Sequence, residues 1–200
     1  MTNRLGIFGG TFDPPHNGHL ALATEALVQL ELNLILWVLT PQPPHKPDQI
    51  ITPWVDRWDM LESLIGDVPF FELSRVEIDR LGPHYAVETV KLLADQYPDA
   101  QLVYLMGEDS LRDLHTWRDP VTFVRNCHLL GILRRPDTDL SLDELEREIP
   151  GITSKLAFID LPPAAISSSH IRQQIQLGRG CPAGLNPEVY NIIQARNLYR

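Results

Sequence analysis

Cysteine is scarce in these 200 residues. Two occur, Cys127 and Cys181, far apart and with no C-x-x-C neighbour. That excludes a disulfide framework and a thiolate zinc site, and fits buried or incidental thiols in a reducing, cytoplasmic setting. Positive charge is scarce too, with 17 Lys and Arg against 26 Asp and Glu and a formal charge of −9. A broad nucleic-acid footprint needs a basic face, so no nucleic-acid partner is expected, although a small basic pocket is compatible. No apolar run approaches the roughly 20 residues that cross a bilayer. The longest, Leu34 to Leu39, is strand-sized, so no membrane partner is expected. The opening residues run into a strand within a few positions, so no signal peptide is expected. Internal repeats and low-complexity tracts are absent, as are G-x-S-x-G, G-x-G-x-x-G and G-x-x-x-x-G-K-[ST]. Serine-hydrolase, dinucleotide-fingerprint and P-loop readings therefore fail.

What is present is an alternation of strands and helices. Leu5–Phe8, Asn33–Thr40, Phe70–Leu73, Gln101–Met106, His128–Arg134 and Leu156–Leu161 read as strands. The second is apolar on both faces, as a central parallel strand should be. Helices are expected from His19, with Leu20, Leu27 and Val28 on the inner stripe, and from Thr52-Pro53, read as N-cap and N1. Trp54, Trp58, Leu61 and Leu64 form a core stripe there, with Asp56 and Arg57 off it. Further helices are expected at Tyr85–Tyr97, from Asp119-Pro120 to Asn126, at Leu142–Ile149 (acidic and exposed), up to Leu177, and from Asn186-Pro187 onward against the sheet edge. The expected fold is α/β: a Rossmann-like, doubly wound, mainly parallel sheet with helices on both faces, in one domain over 1–200.

The rest of the chain is organised around Leu5–Leu20, L-G-I-F-G-G-T-F-D-P-P-H-N-G-H-L. A strand runs into Gly9-Gly10, then an acid, two prolines and two imidazoles at a helix start. Helix N-termini present unpaired N–H groups and partial positive charge, and glycines let backbone approach an anion. His16 and His19 can donate to a phosphate without permanent charge. An ordinary turn with surface histidines is the competing reading, and three such features in one turn weigh against it. A second anion site is expected at Ile166-Ser-Ser-Ser-His-Ile-Arg172, where hydroxyls and first-turn N–H groups meet Arg172. The stiff loop Pro41-Gln-Pro-Pro-His-Lys-Pro47 adds His45 and Lys46 at a strand's carboxyl end. Two helix N-termini at one sheet edge could bridge a triphosphate. With no nucleophile motif present, the chemistry left is direct displacement at phosphorus.

G-G-T-F-D-P-P-H-N-G-H resembles the H-x-G-H signature of the nucleotidyltransferase superfamily, in the form carried by bacterial nicotinate-nucleotide adenylyltransferases. I-S-S-S-x-I-R is similar to its partner motif I-S-S-T-x-I-R, with Ser169 in place of threonine. P-P-H-K-P and G-E-D-S-L-x-x-L-H-x-W also match, so the likeness covers nearly the whole chain. The resemblance implies adenylyl transfer from ATP to nicotinate mononucleotide, releasing pyrophosphate and deamido-NAD in NAD biosynthesis. His16, His19 and Arg172 would stabilise phosphate charge, and Lys46 would bring in the acceptor phosphate. Gly9, Gly10, Thr11, Phe12 and Gly18 would hold ATP together with Ile166, Ser167, Ser168 and Ser169, its adenine lying near Ile7 and Phe8. Trp117 would stack on the pyridine ring. Tyr85 and Ala86, from His84-Tyr-Ala-Val87, stand where the family has S-Y-T-V. Ala86 preserves a backbone contact and removes a side-chain one. Gly107, Asp109, Arg118 and Arg134 complete the expected acceptor side. Mg²⁺ would ride on the ATP phosphates without a protein metal site. The partners implied are ATP and a pyridine mononucleotide, and a homo-oligomer stays open. The alternatives are nicotinamide mononucleotide or phosphopantetheine as acceptor, or an ATP-sensing module with no chemistry. A class I aminoacyl-tRNA synthetase shares H-x-G-H but would need K-M-S-K-S and an anticodon module.

Overall fold

A computed structural model describes residues 3–44, 50–66, 68–134, 140–162 and 166–200. Six strands, β1 (Arg4–Gly10), β2 (Leu34–Leu39), β3 (Phe71–Ser74), β4 (Gln101–Gly107), β5 (Leu129–Leu133) and β6 (Leu156–Ile159), form one sheet. Their order is β3-β2-β1-β4-β5-β6, and every neighbouring pair is parallel. The chain winds one way from β1 to β3 and the other way from β4 to β6. The direction reverses between β1 and β4, and in such sheets the crevice beyond that point receives ligands. The loop leaving β1 is the one that carries both histidines.

The helices are α1 (Asn17–Gln29), α2 (Trp54–Ile65), α3 (Ala86–Gln96), α4 (Glu108–Arg112), α5 (Pro120–Asn126), α6 (Leu142–Glu148), α7 (Ser168–Gln176) and α8 (Pro187–Ala195). Short 3₁₀ turns occupy Asp113–Thr116 and Thr153–Lys155. Alternate strand residues point to opposite faces, so Leu5 and Ile7 enter one core while Phe8 enters the other. The first core is closed by α3, α5 and α6, and the second by α1 and α2. A third apolar cluster joins α2, α7 and α8 through Met60, Leu64, Ile171, Ile175, Val189 and Ile193.

Several sequence expectations are corrected here. The buried residues of α1 are Leu22, Ala23 and Ala26; Leu20 and Leu27 pack beside them as expected, while Val28 is 69% exposed. The rotation follows from His19: at helical spacing, residues 19, 22, 23 and 26 share a face. Fixing His19 at the sheet edge turns the small alanines inward, where they allow close approach. Helix α2 starts one residue late, with Pro53 as its cap, because Thr52 is used elsewhere: its N–H reaches Asp13 and its carbonyl serves Arg57. Arg57, expected off the core stripe, has no exposed surface. Helix α6 is acidic, yet Leu145 and the following Ile149 are buried. Helix α8 packs on α2 and α7 rather than on the sheet edge. The strand expected from Phe70 begins at Phe71, leaving Phe70 half exposed. The cysteines are free, Cys127 buried and Cys181 exposed. Burial pushes the Cys127 thiol up to about 12.

Candidate active site

The β1–α1 loop is built around the two histidines. His16 caps α1 with extended backbone, and the helix begins at Asn17, two residues earlier than the sequence suggests. A reciprocal capping box holds the pair, each imidazole accepting from the other's backbone N–H. The His16 N–H donates to His19 Nδ1 at 3.1 Å. An acceptor Nδ1 places the proton of the neutral His19 ring on Nε2, and that nitrogen becomes its outward donor. The two rings stack, with centroids 3.6 Å apart. Phe8 and Phe12 back the His19 ring at 6.0 and 5.1 Å. Phe12 is 3% exposed, so its ring supports His19 and only its backbone can face a nucleotide. Ile7 likewise is fully buried, and its side chain cannot touch an adenine.

The glycines are required by close packing. A Cβ on Gly9 would lie 2.6 Å from the Tyr104 hydroxyl, and one on Gly18 would lie 3.0 Å from His16 Nδ1. The first distance is too short for a side chain unless Tyr104 shifts, and the second would require the His16 ring to give way by a few tenths of an ångström. Gly10 is similarly pressed by the Phe12 ring.

Helix α7 is drawn onto this loop. Arg172 Nη1 donates to the Asp13 carbonyl at 2.6 Å, and Ser168 Oγ donates to the Pro14 carbonyl at 2.9 Å. Ile166 lies 3.7 Å from where a Gly18 Cβ would stand. The two segments expected to hold anions therefore adjoin. The serines divide the work more finely than expected. Ser167 Oγ caps α7 by accepting from the His170 N–H, and Ser169 Oγ accepts from Arg172 Nη2. Anion donors at this end are thus mainly first-turn backbone N–H groups and the remaining guanidinium face.

Arg57 is the residue that sequence reasoning missed. It donates to four carbonyls: Thr52 at 2.7 Å, Thr11 at 2.6 Å, Thr40 at 2.9 Å and Pro41 at 2.7 Å. It thereby ties the loops after β1 and β2 together. Burial lowers its pKa, and the nearby Asp13 opposes that shift. Asp13 is itself buried and accepts from the Tyr199 hydroxyl and the Thr52 N–H. A charged residue off the apolar stripe of α2 was the only signal for Arg57. Nothing in the sequence pointed to Tyr199.

The residues expected on the acceptor side lie on the first core. Tyr85 caps α3 and Ala86 opens it. Both pack against the same apolar cluster as Trp117. Trp117 is half-buried at the end of the first 3₁₀ turn, edge-on to Tyr104 and 5.4 Å from Phe123. Arg80 holds the approach to α3, donating to the Pro83 and Tyr85 carbonyls and to Thr89 Oγ1. Thr89 in turn donates to the buried Glu77, whose carboxyl is pushed up by burial first. His84, 9% exposed, is lowered by burial and then by Arg80, which favours a neutral ring.

Gly107 caps α4, which carries Asp109. Arg118 is exposed beside the left-handed Asp119. Arg134 follows β5 with its guanidinium 4.4 Å over the Phe158 ring. Lys46 and His45 lie outside the described residues. Among the described residues, no group of three or more His, Cys, Asp or Glu side chains gathers to hold a metal, and no helix is long and apolar enough to cross a membrane.

Residues 7–174 match the cytidylyltransferase-like family. A Thermomicrobium roseum protein named "Probable nicotinate-nucleotide adenylyltransferase" is 39% identical over 99% of this chain and 92% of its own length. A Synechococcus relative of the same name is 37% identical over 98% of this chain and 94% of its own. The solved Plasmodium falciparum nicotinic acid mononucleotide adenylyltransferase, complexed with NaAD, aligns over 98% of this chain and 97% of its own with a TM-score of 0.77. At 19% identity that match is a likeness of fold. Fold, paired helix N-termini and relatives agree: the chain belongs to the cytidylyltransferase-like family and, within it, to the nicotinate-nucleotide adenylyltransferases.

Proposed function

We propose that this protein transfers the adenylyl group of ATP to nicotinate mononucleotide, forming deamido-NAD and pyrophosphate. The observation that carries the reading is the joining of two helix N-termini, α1 and α7, at Asp13 and Pro14 by Arg172 and Ser168. One phosphate chain can lie across both. The acceptor's phosphate oxygen attacks the α-phosphorus as the bond to the bridging β-phosphate oxygen breaks. The leaving pyrophosphate takes the electron pair. A nucleotide phosphate is already largely ionised near neutral pH, so no general base is needed. His19 Nε2–H, the Arg172 guanidinium and the α7 N–H groups stabilise charge building on the phosphates. His16 orients His19 through the capping box.

The donors here suit phosphate oxygens, and the described residues form no carboxylate cage. Mg²⁺ is accordingly taken as part of the MgATP substrate, neutralising phosphate charge. Trp117 supplies an apolar face for the pyridine ring, and the opening turn of α3, held by Arg80, supplies N–H groups toward its carboxylate. Lys46, which lies outside the described residues, is assigned the incoming acceptor phosphate by its motif alone. We further read residues 1–200 as one nucleotidyltransferase domain working in the cytoplasm.

The test is pyrophosphate release from MgATP in parallel with nicotinate mononucleotide, nicotinamide mononucleotide and phosphopantetheine. The reading expects release with the nicotinate compound well above the other two. Preference for the nicotinamide compound would preserve the chemistry and overturn the acceptor. Nucleotide binding with no release from any acceptor would leave an ATP-sensing module.

A further inference from the structure

We infer that Tyr199 is a positioning residue for catalysis, acting through Asp13 on the loop that carries His16 and His19. The inference rests on the adenylyl-transfer reading above and deepens it. The Tyr199 hydroxyl donates to Asp13 Oδ1 at 2.6 Å, across 186 positions of sequence. The other carboxylate oxygen of Asp13 accepts from the Thr52 N–H, and its carbonyl accepts from Arg172. Asp13 thus collects three elements on one residue: the segment after α8, the entry to α2, and α7. Two residues further on is Pro15, and the next residue is His16, the cap of α1.

The chain around Tyr199 is arranged to reach this point. Arg196 is paired with Asp56 at 2.7 Å and with Asp59 at 2.5 Å, which fixes the end of α8 to α2. Asn197 and Tyr199 then both adopt left-handed backbone, with φ of 53° and 60°. Non-glycine residues hold that conformation only where their surroundings impose it. The two reversals turn the Tyr199 ring back into the apolar cluster that contains Leu20 and Ile166, both flanking the phosphate-binding turns. Burial, and then the charge of Asp13, pushes the phenol up, so the hydroxyl stays a donor. Without that donor, a buried carboxylate beside the histidine loop loses one of its two side-chain contacts. A hydrogen bond to a charged, buried group is among the costly ones to lose. The loop, and with it His19 Nε2, would then sample more than one position.

The experiment uses the full chain with Tyr199→Phe, which keeps the ring and removes the hydroxyl, together with Asp13→Ala and the double variant. Each is followed by thermal unfolding and by steady-state kinetics with MgATP and nicotinate mononucleotide. For Tyr199→Phe we expect kcat, measured well below the unfolding transition, to fall by roughly ten-fold, with the KM for the mononucleotide little changed and the melting temperature lowered by several degrees. In the Asp13→Ala background the same substitution should cost no further activity. An unchanged kcat overturns the inference, whether or not stability falls. A ten-fold loss that persists in the Asp13→Ala background also overturns it, since Tyr199 would then act by another route. If the wild type releases no pyrophosphate with this acceptor, the acceptor reading fails instead. Affinity for a non-hydrolysable ATP analogue then decides: weaker binding by Tyr199→Phe, measured well below its unfolding transition, sustains the positioning role, and equal binding ends it.

Discussion

The carboxyl edge of the sheet divides into two halves that are built differently. The nucleotide half, the β1–α1 loop with the start of α7, is braced by hydrogen bonds to backbone carbonyls. Arg57, Arg172 and Ser168 each donate to one or more of them, and His16 and His19 cap one another. The acceptor half, around α3 and Trp117, is a patch of apolar packing on the first core, held from below by Arg80 and Glu77. Rigid backbone donors suit a phosphate, whose charge is the same in every nucleotide. An aromatic wall with a few N–H groups suits a ring, where acceptors differ by one substituent. On the proposed reading, the first half sets the chemistry and the second sets the choice of acceptor.

The largest expected break comes from Arg57→Met. It leaves four part-buried carbonyls without their charged donor. Unfolding in urea should show about 3–5 kcal/mol less stability, since each polar group left unsatisfied costs up to roughly 1–3 kcal/mol and water can reach some of them. Next is His19→Ala. Loss of a preorganised donor should lower kcat by about 10²–10³-fold, or roughly 3–4 kcal/mol. It also removes half the capping box, so a melting scan should show a smaller accompanying loss, about 1 kcal/mol. Near-normal turnover would contradict the role given to the nucleotide half.

Trp117→Ala probes the other half. It should raise the KM for the mononucleotide by about ten-fold while the KM for ATP stays near wild type, as stacking on one base or ring is worth about 1–3 kcal/mol. Equal effects on both substrates would erase the division. The smallest effect is expected away from both halves, at Glu146. This carboxylate accepts from the Thr153 and Gly151 N–H groups, which hold its pKa below the ordinary value. A lowered folded value stabilises the protein above the ordinary glutamate range and is lost as pH falls through it. Glu146→Gln should therefore melt slightly below wild type at pH 7, and the two curves should converge in acid.

The two halves also differ in how much of them was legible in the sequence. All six strands could be read, because apolar runs bounded by turn residues report buried parallel strands. The histidine loop and the serine turn could be read because their donors are contiguous, and contiguity leaves a motif. What could not be read is long-range. Arg57 looks like a surface residue, since helical spacing says which face is apolar and nothing of carbonyls brought in from three other segments. On α1 the larger aliphatics Leu20 and Leu27 pack on the core as expected, but Val28 does not, and the fully buried places go to Leu22, Ala23 and Ala26, in line with His19. Tyr199 meets Asp13 only once α8 has folded onto α2. On the acceptor side, His84-Tyr-Ala-Val87 marked the start of α3, but the Arg80 and Glu77 support beneath it carries no pattern of its own.

The central claim is direct, single displacement at the α-phosphorus, with the protein positioning the reactants and supplying no nucleophile. The most direct test is the stereochemical course of transfer from ATP made chiral at the α-phosphorus by sulfur substitution, with nicotinate mononucleotide as acceptor. Inversion at phosphorus is the predicted result. Retention would require two displacements through a covalent adenylyl-enzyme, and would contradict the account.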